Sequence, residues 1–247
     1  SFFAFGILKY DKRNCVCGSV LYLSSYTVII YQKNEDRIIR AGVRLRRKAG
    51  EHMKKTISIG KQSFSSLREH DNFFVDKTNF IKEWWEKEDD ITLIARPRRF
   101  GKTLNMSMLE CFFSNKYANR ADLFEGLSIW EEEKYRQLQG TYPVIFLSFA
   151  SVKADNLTEA KIQIKQEIAV LYEENRYLLK KDILSDNERK LYNRTTEQMD
   201  DTTAQKAIRN MAAWMHRYYG KNVIILLDEY DTPMQEAYLQ GYWDEYT

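Results

Sequence analysis

Cysteine and histidine are scarce in this chain of 247 residues, and long apolar runs are missing; each shortage removes a class of function. The three cysteines, Cys15, Cys17 and Cys111, form one C-x-C and one isolated thiol. That supports neither a zinc site nor a disulfide framework, so a reducing, cytoplasmic setting is expected. His70 and His216 stand alone and predict ordinary surface or helix positions. No stretch approaches the roughly 20 apolar residues of a membrane span. The longest, residues 20–31, is broken by Ser24 and Ser25. No charged segment precedes an apolar run with a small-residue cleavage site, so neither a signal peptide nor a membrane partner is expected.

Net charge is also small, at +3, but it is unevenly spread. Residues 1–52 hold ten of the 38 Lys and Arg and four of the 35 acids, a net of +6; the other 28 bases and 31 acids make −3. The larger part is therefore mildly acidic and gives no argument for nucleic-acid binding. The basic run Gly42 to Lys48 offers only Val43 and Leu45 to a core. Met53-Lys54-Lys55-Thr56 then resembles the start of a bacterial reading frame. Ala49-Gly50-Glu51 can be encoded with a ribosome-binding sequence just upstream of it. Residues 1–52 are expected to be translated leader, or else a disordered basic extension. Residues 53–247 are expected to form one domain. Ser1 and Thr247 both read as cut edges, the second truncating the domain.

What is present starts at Ile91-Thr92-Leu93-Ile94-Ala95, a β-prone run that leads through Arg96-Pro97-Arg98-Arg99-Phe100 to Gly101-Lys102-Thr103-Leu104 and a helical pattern. A strand, a short loop and Gly-Lys-Thr at a helix start form the setting of G-x-x-x-x-G-K-[ST], which binds nucleotide phosphates. Backbone N–H groups there point at the anion and the helix dipole favours it. Gly101 permits close approach, Lys102 reaches the β/γ oxygens, and Thr103 offers its hydroxyl to Mg²⁺. The first glycine of the pattern is replaced by Arg96, which Pro97 biases towards extended geometry. Arg98 and Arg99 are either γ-phosphate partners or exposed loop charges.

A second element is Val223-Ile224-Ile225-Leu226-Leu227-Asp228-Glu229, five apolar residues ending in two acids. This is the pattern of a buried parallel strand presenting carboxylates at its C-terminal edge. Asp228 is placed to hold the metal shell and Glu229 to polarise an attacking water. Between the two elements, Val144 to Phe149 reads as another buried strand. Helices are expected over 79–88, from 102 to about 114, behind an Asn156/Glu159 capping box, and over 204–219 with Gly220 as terminator. Residues 182–203 read as a polar surface excursion, and Trp84, Trp85, Trp130 and Trp214 as core. Asp76-Lys77-Thr78 is either a structural turn or a neighbour of the nucleotide base. The order implies an α/β fold: a P-loop NTPase three-layer sandwich on a parallel sheet, of the division with an additional strand and a catalytic glutamate.

Several blocks together resemble one family, the bacterial AAA-ATPase-like proteins. They are Ile59 to Phe64, Phe74-Val75-Asp76-Lys77-Thr78, Arg96 to Leu104, Leu123-Phe124-Glu125-Gly126-Leu127, Leu227 to Asp231, and Tyr238 to Trp243. The resemblance implies that Arg96 is usual at its position and that the loop, residues 96–104, binds ATP. It also implies that a PD-(D/E)xK nuclease-like domain commonly follows, the one route by which nucleic acid becomes a partner. The expected activity is Mg²⁺-dependent ATP binding and hydrolysis, with Lys102 and Glu229 catalytic and Thr103 and Asp228 on the metal. The chain would then be the motor or regulatory part of a larger protein. The alternatives are an ATP-gated switch with negligible turnover and the ATPase arm of a DNA-processing nuclease. The oligomeric state has no signature in the sequence.

Overall fold

The computed structural model describes residues 8–11, 14–17, 26–33, 56–58, 60–96, 101–180 and 182–246. Its first elements are β1 (Leu8–Asp11), β2 (Asn14–Cys17) and β3 (Tyr26–Lys33). Next come α1 (Phe64–Glu69), α2 (Asn79–Lys87), β4 (Ile91–Arg96), α3 (Lys102–Phe113) and the short α4 (Glu133–Arg136). The remainder is β5 (Val144–Ser148), α5 (Leu157–Glu174), α6 (Asp186–Arg194), α7 (Asp201–Tyr219), β6 (Val223–Asp228), α8 (Thr232–Gln240) and α9 (Trp243–Tyr246). β1 and β2 pair antiparallel. A four-stranded sheet runs in the order β4-β3-β6-β5. Among the described residues no helix is long and apolar enough to cross a membrane.

The described residues divide into two compact units. The first lies within Ser1–Ile30, Asp90–Thr92 and Tyr142–Thr247; the second lies within Tyr31–Asp89 and Leu93–Thr141.

In the first unit β5 and β6 are parallel, in register from Val144 opposite Ile224 to Ser148 opposite Asp228. β3 lies parallel on the other side of β6, Tyr26 opposite Val223 and Ile30 opposite Leu227. A parallel strand flanked on both sides suits a continuous apolar run, and Val223, Ile224, Ile225 and Leu226 are all buried. Ile145, Leu147, Val223 and Ile225 pack with Ile164, Ile168 and Leu171 of α5 and with Ala207, Ile208, Met211 and Trp214 of α7. Burying each of the valine, leucine, isoleucine and methionine side chains contributes about 1.5–3 kcal/mol. β3 lies within residues 1–52, for which the sequence predicts a leader or an unpacked extension. Its Tyr-Thr-Val-Ile-Ile-Tyr run is β-branched and aromatic, the composition that suits a strand.

Two local expectations change. Asn156 does cap α5, its Oδ1 accepting from Glu159 N at 2.9 Å, but the return bond of a capping box is absent. Glu159 instead accepts from Gln163 Nε2. The complete box is Ser185 with Glu188 at the start of α6. Residues 182–203 are thus not a mere excursion, because Leu184, Tyr192 and Met199 enter the core of the first unit. Their apolar residues are too widely spaced to register as a periodic face.

The second unit is built round α3. Met106, Met108, Leu109, Cys111, Phe112 and Phe113 of this helix are buried. Its aromatic neighbours form a continuous stack: Phe64 on Phe124, Phe112 edge-on to Phe124 and to Phe113, and Phe113 against Trp84 and Trp85. Burial pushes the Cys111 thiol up to about 12, which keeps it protonated and structural. All four tryptophans named above are half-buried or buried among other side chains, as expected of core residues.

Candidate functional site

The expected site residues fall into both units. In the second, β4 ends at Arg96 and α3 begins after Gly101; Pro97, Arg98, Arg99 and Phe100 lie outside the described residues. Gly101 has φ +74°, a left-handed conformation that glycine adopts without steric cost. Its carbonyl accepts from Asn105 N at 3.0 Å, the first bond of the helix. Lys102 is 7% exposed, Thr103 and Leu104 are half-buried, and the first turn of α3 contains no acid. The first turn of this 12-residue helix thus places no carboxylate of its own at the positive end. A left-handed glycine, a buried lysine and an acid-free helix start fit a phosphate group.

α3 is held from outside. Ser107 Oγ accepts from Phe64 N at 3.0 Å, which ties the start of α1 to the second turn of α3. Ser63 caps α1 through Ser66 N, and Lys61 donates to Asn72 Oδ1 at 2.8 Å. Arg68 donates to the carbonyls of Leu123 and Glu125.

Asp76 is the knot of this framework. One oxygen accepts from Thr78 N and Thr78 Oγ1 at 2.8 and 2.7 Å, the other from Ser128 N and Ser128 Oγ, both at 2.7 Å. Thr78 Oγ1 in turn accepts from Ile129 N at 3.1 Å. Burial pushes the Asp76 carboxyl up, but the bonds from Thr78 and Ser128 outweigh it and hold the group below its ordinary value. The blocks around 76 and 124, far apart in sequence, are thus one structural joint. Asp76 and Thr78 thus form a structural turn. The joint carries Lys77, whose Nζ would lie 3.9 Å from a Cβ built on Gly101.

In the first unit β6 delivers Asp228, 1% exposed, and the Asp228 carbonyl accepts from Phe149 N at 3.0 Å. Glu229 follows at φ +50°, uncommon for a side chain of this type. It turns the chain sharply from β6 into α8, with Thr232 N donating to its carbonyl at 3.0 Å and Thr232 Oγ1 to its Oε2 at 3.4 Å. Residues held in such conformations concentrate at functional sites. Asp231, which sequence reasoning did not select, is buried and accepts from Gln235 Nε2 at 2.7 Å. Only its burial singles it out from the solvated acids.

Lys102 and Thr103 thus come together at one helix start, and Asp228 and Glu229 at one strand end, in separate units. No group of three His, Cys, Asp or Glu among the described residues could hold a metal. Mg²⁺ beside a nucleotide needs only one or two protein oxygens, and the Thr103 hydroxyl is a hard donor of that kind. His70 and His216 make local bonds to the carbonyls of Ser66 and Lys221, as lone histidines should. A cavity of about 390 Å³ lined by Trp85, Glu86, Glu88, Lys134, Tyr135 and Leu138 contains none of the expected residues. Its polar groups satisfy one another, Glu86 accepting from Tyr135 Oη at 2.6 Å and from Lys134 at 2.9 Å.

The chain is 28% identical over 182 residues to a protein of Azotobacter chroococcum mcd 1 described as an uncharacterized protein in the vnfD 5' region. The match covers 73% of this chain and 30% of that protein, so the chain spans less than a third of its relative's length. No solved structure matches. The profile of the AAA-ATPase-like family, described as predicted AAA-ATPases, matches residues 58–247, and with most of its length covered the chain belongs to that family.

Proposed function

We propose that the chain is a Mg²⁺-dependent ATP-binding domain that hydrolyses ATP, the motor or regulatory part of a larger protein. One observation carries the reading: in a chain of the AAA-ATPase-like family, left-handed Gly101 opens an acid-free helix start with Lys102 and Thr103 on it. Lys102 and the amides at the start of α3 hold the phosphates. Thr103 and Asp228 supply oxygens to Mg²⁺, which neutralises charge building on the phosphates. Glu229, the next residue along, orients water and takes its proton. Arg96, Pro97, Arg98, Arg99 and Phe100 are assigned to the same nucleotide-binding stretch on their sequence pattern alone.

We place the functional domain from residue 53 onward and assign it the three-layer P-loop sandwich with an additional strand. The family match beginning at residue 58 supports that boundary. The parallel β5–β6 pair, with two helices packed on one face, is the part of such a sandwich that supports the fold.

Two variants test the activity. Lys102→Ala should abolish ATP binding in Mg²⁺, and Glu229→Gln should bind ATP normally while phosphate release falls by about 100-fold or more. Equal phosphate release by wild type and Glu229→Gln would replace hydrolysis by a nucleotide-gated switch. Undiminished ATP binding by Lys102→Ala would sink the site itself.

A further inference from the structure

The joint at 76–78 has a consequence beyond holding α2 in place. Both ends of the turn are fixed: Asp76 accepts four hydrogen bonds, and Thr78 is fully buried and bonded to Ile129 N. α2 starts immediately after it, Phe80 N donating to the Lys77 carbonyl and Ile81 N to that of Thr78. Between these fixed points Lys77 has no room to choose its backbone direction. Its side chain is exposed, is not paired with a carboxylate among the described residues, and reaches to 3.9 Å from the Cβ position of Gly101. All of these residues belong to the second unit.

A lysine placed by a turn against another chain segment normally meets an acid or a carbonyl. Here it meets the glycine whose missing side chain leaves the helix start open, beside a helix turn without acids.

We propose that Lys77 is a second phosphate-binding lysine of this site: it contacts the polyphosphate chain of the bound nucleotide from beside Gly101, and does not contact the base. The proposal rests on the ATP-binding reading above. Asp76 and Thr78 are positioning residues for it. They hold the turn, and they act on the nucleotide only through Lys77.

Titration calorimetry on the full chain in Mg²⁺ tests this, with ATP and inorganic tripolyphosphate as probes and melting temperature recorded for each variant. Lys77→Met should weaken ATP and tripolyphosphate by the same factor, about ten-fold or more, the scale of one charge-assisted hydrogen bond. Lys77→Arg should stay within about three-fold of wild type, since it keeps the cation. Lys87→Met, at the exposed end of α2, should behave as wild type. If Lys77→Met binds ATP like wild type while Lys102→Ala loses it, the Lys77 role is wrong and the ATP site stands. A loss confined to ATP, with tripolyphosphate unaffected, would put Lys77 on the base and overturn the proposal. Both Lys77 variants melting lower and binding poorly would make the residue structural and overturn it too. Wild type failing to bind either probe would remove the ATP reading and this proposal together.

Discussion

The two units solve different problems with different materials. The first presents acids from a strand: β6 is buried by aliphatic side chains on a parallel ladder, and Asp228 sits where the ladder ends. The second presents a helix start, and holds it with an aromatic stack and with side chains that bond to backbone at long sequence separation. A strand end is placed by its neighbours' hydrogen bonds, whereas a helix start preceded by a loop has no ladder to hold it. The second unit therefore relies on single residues, Asp76 and Ser107 among them, where the first relies on many equivalent ones.

That contrast should show most in paired glycine substitutions. Gly140 of the second unit has φ +67°, donates to the Phe112 carbonyl at the end of α3, and would bring a Cβ to 2.4 Å from Ala118 Cα. Gly220 of the first has φ +64° and open space where a Cβ would go. Gly140→Ala should cost about 3 kcal/mol or more, by strain and backbone clash, and Gly220→Ala about 1 kcal/mol by strain alone. Chemical denaturation of both variants measures the difference; equal costs would break the contrast.

Asp76→Ala should come next, at about 2 kcal/mol from the bonds it leaves unmade, with a weaker ATP affinity following from the displaced Lys77. Hydrogen exchange should then rise in 121–131 and around α2, leaving β5 and β6 protected. Uniform loosening of the whole chain would show that the joint is not local.

A chain started at Met53 sharpens the comparison from the other side. It should still bind ATP, because the proposed phosphate contacts lie after that residue, but it should melt several degrees lower, since β6 loses its parallel partner β3. Loss of binding would make β3 integral to the domain.

The smallest effect belongs to acid. Glu188 accepts from both Arg217 nitrogens at 2.9 and 3.0 Å, from Trp214 Nε1 and from Ser185, and the Arg217 guanidinium above all draws its carboxyl down to about 2. A folded value below the ordinary 4.5 means stabilisation present above pH 4.5 and lost as pH falls towards 2. Glu188→Gln should flatten stability across that window, lowering it at neutral pH by about 1 kcal/mol. An unchanged acid limb in urea titrations would exclude the pair as its source.

The sequence by itself determined whatever depends on near neighbours. Gly101-Lys102-Thr103 at the start of a helix, β6 ending at Asp228, and α7 stopping at Gly220 are all as the local pattern predicts. Backbone propensity, apolar period and cap chemistry act over a few residues and leave a local signature. Only the tertiary structure decided the rest. Asp76 meets Ser128 across 52 positions, Lys77 approaches Gly101, Glu188 meets Arg217 across 29, and β3 takes its place beside β6. A polar side chain in a sequence has the same appearance whether it faces water or closes a joint. What distinguishes the two is the partner, and folding alone selects it.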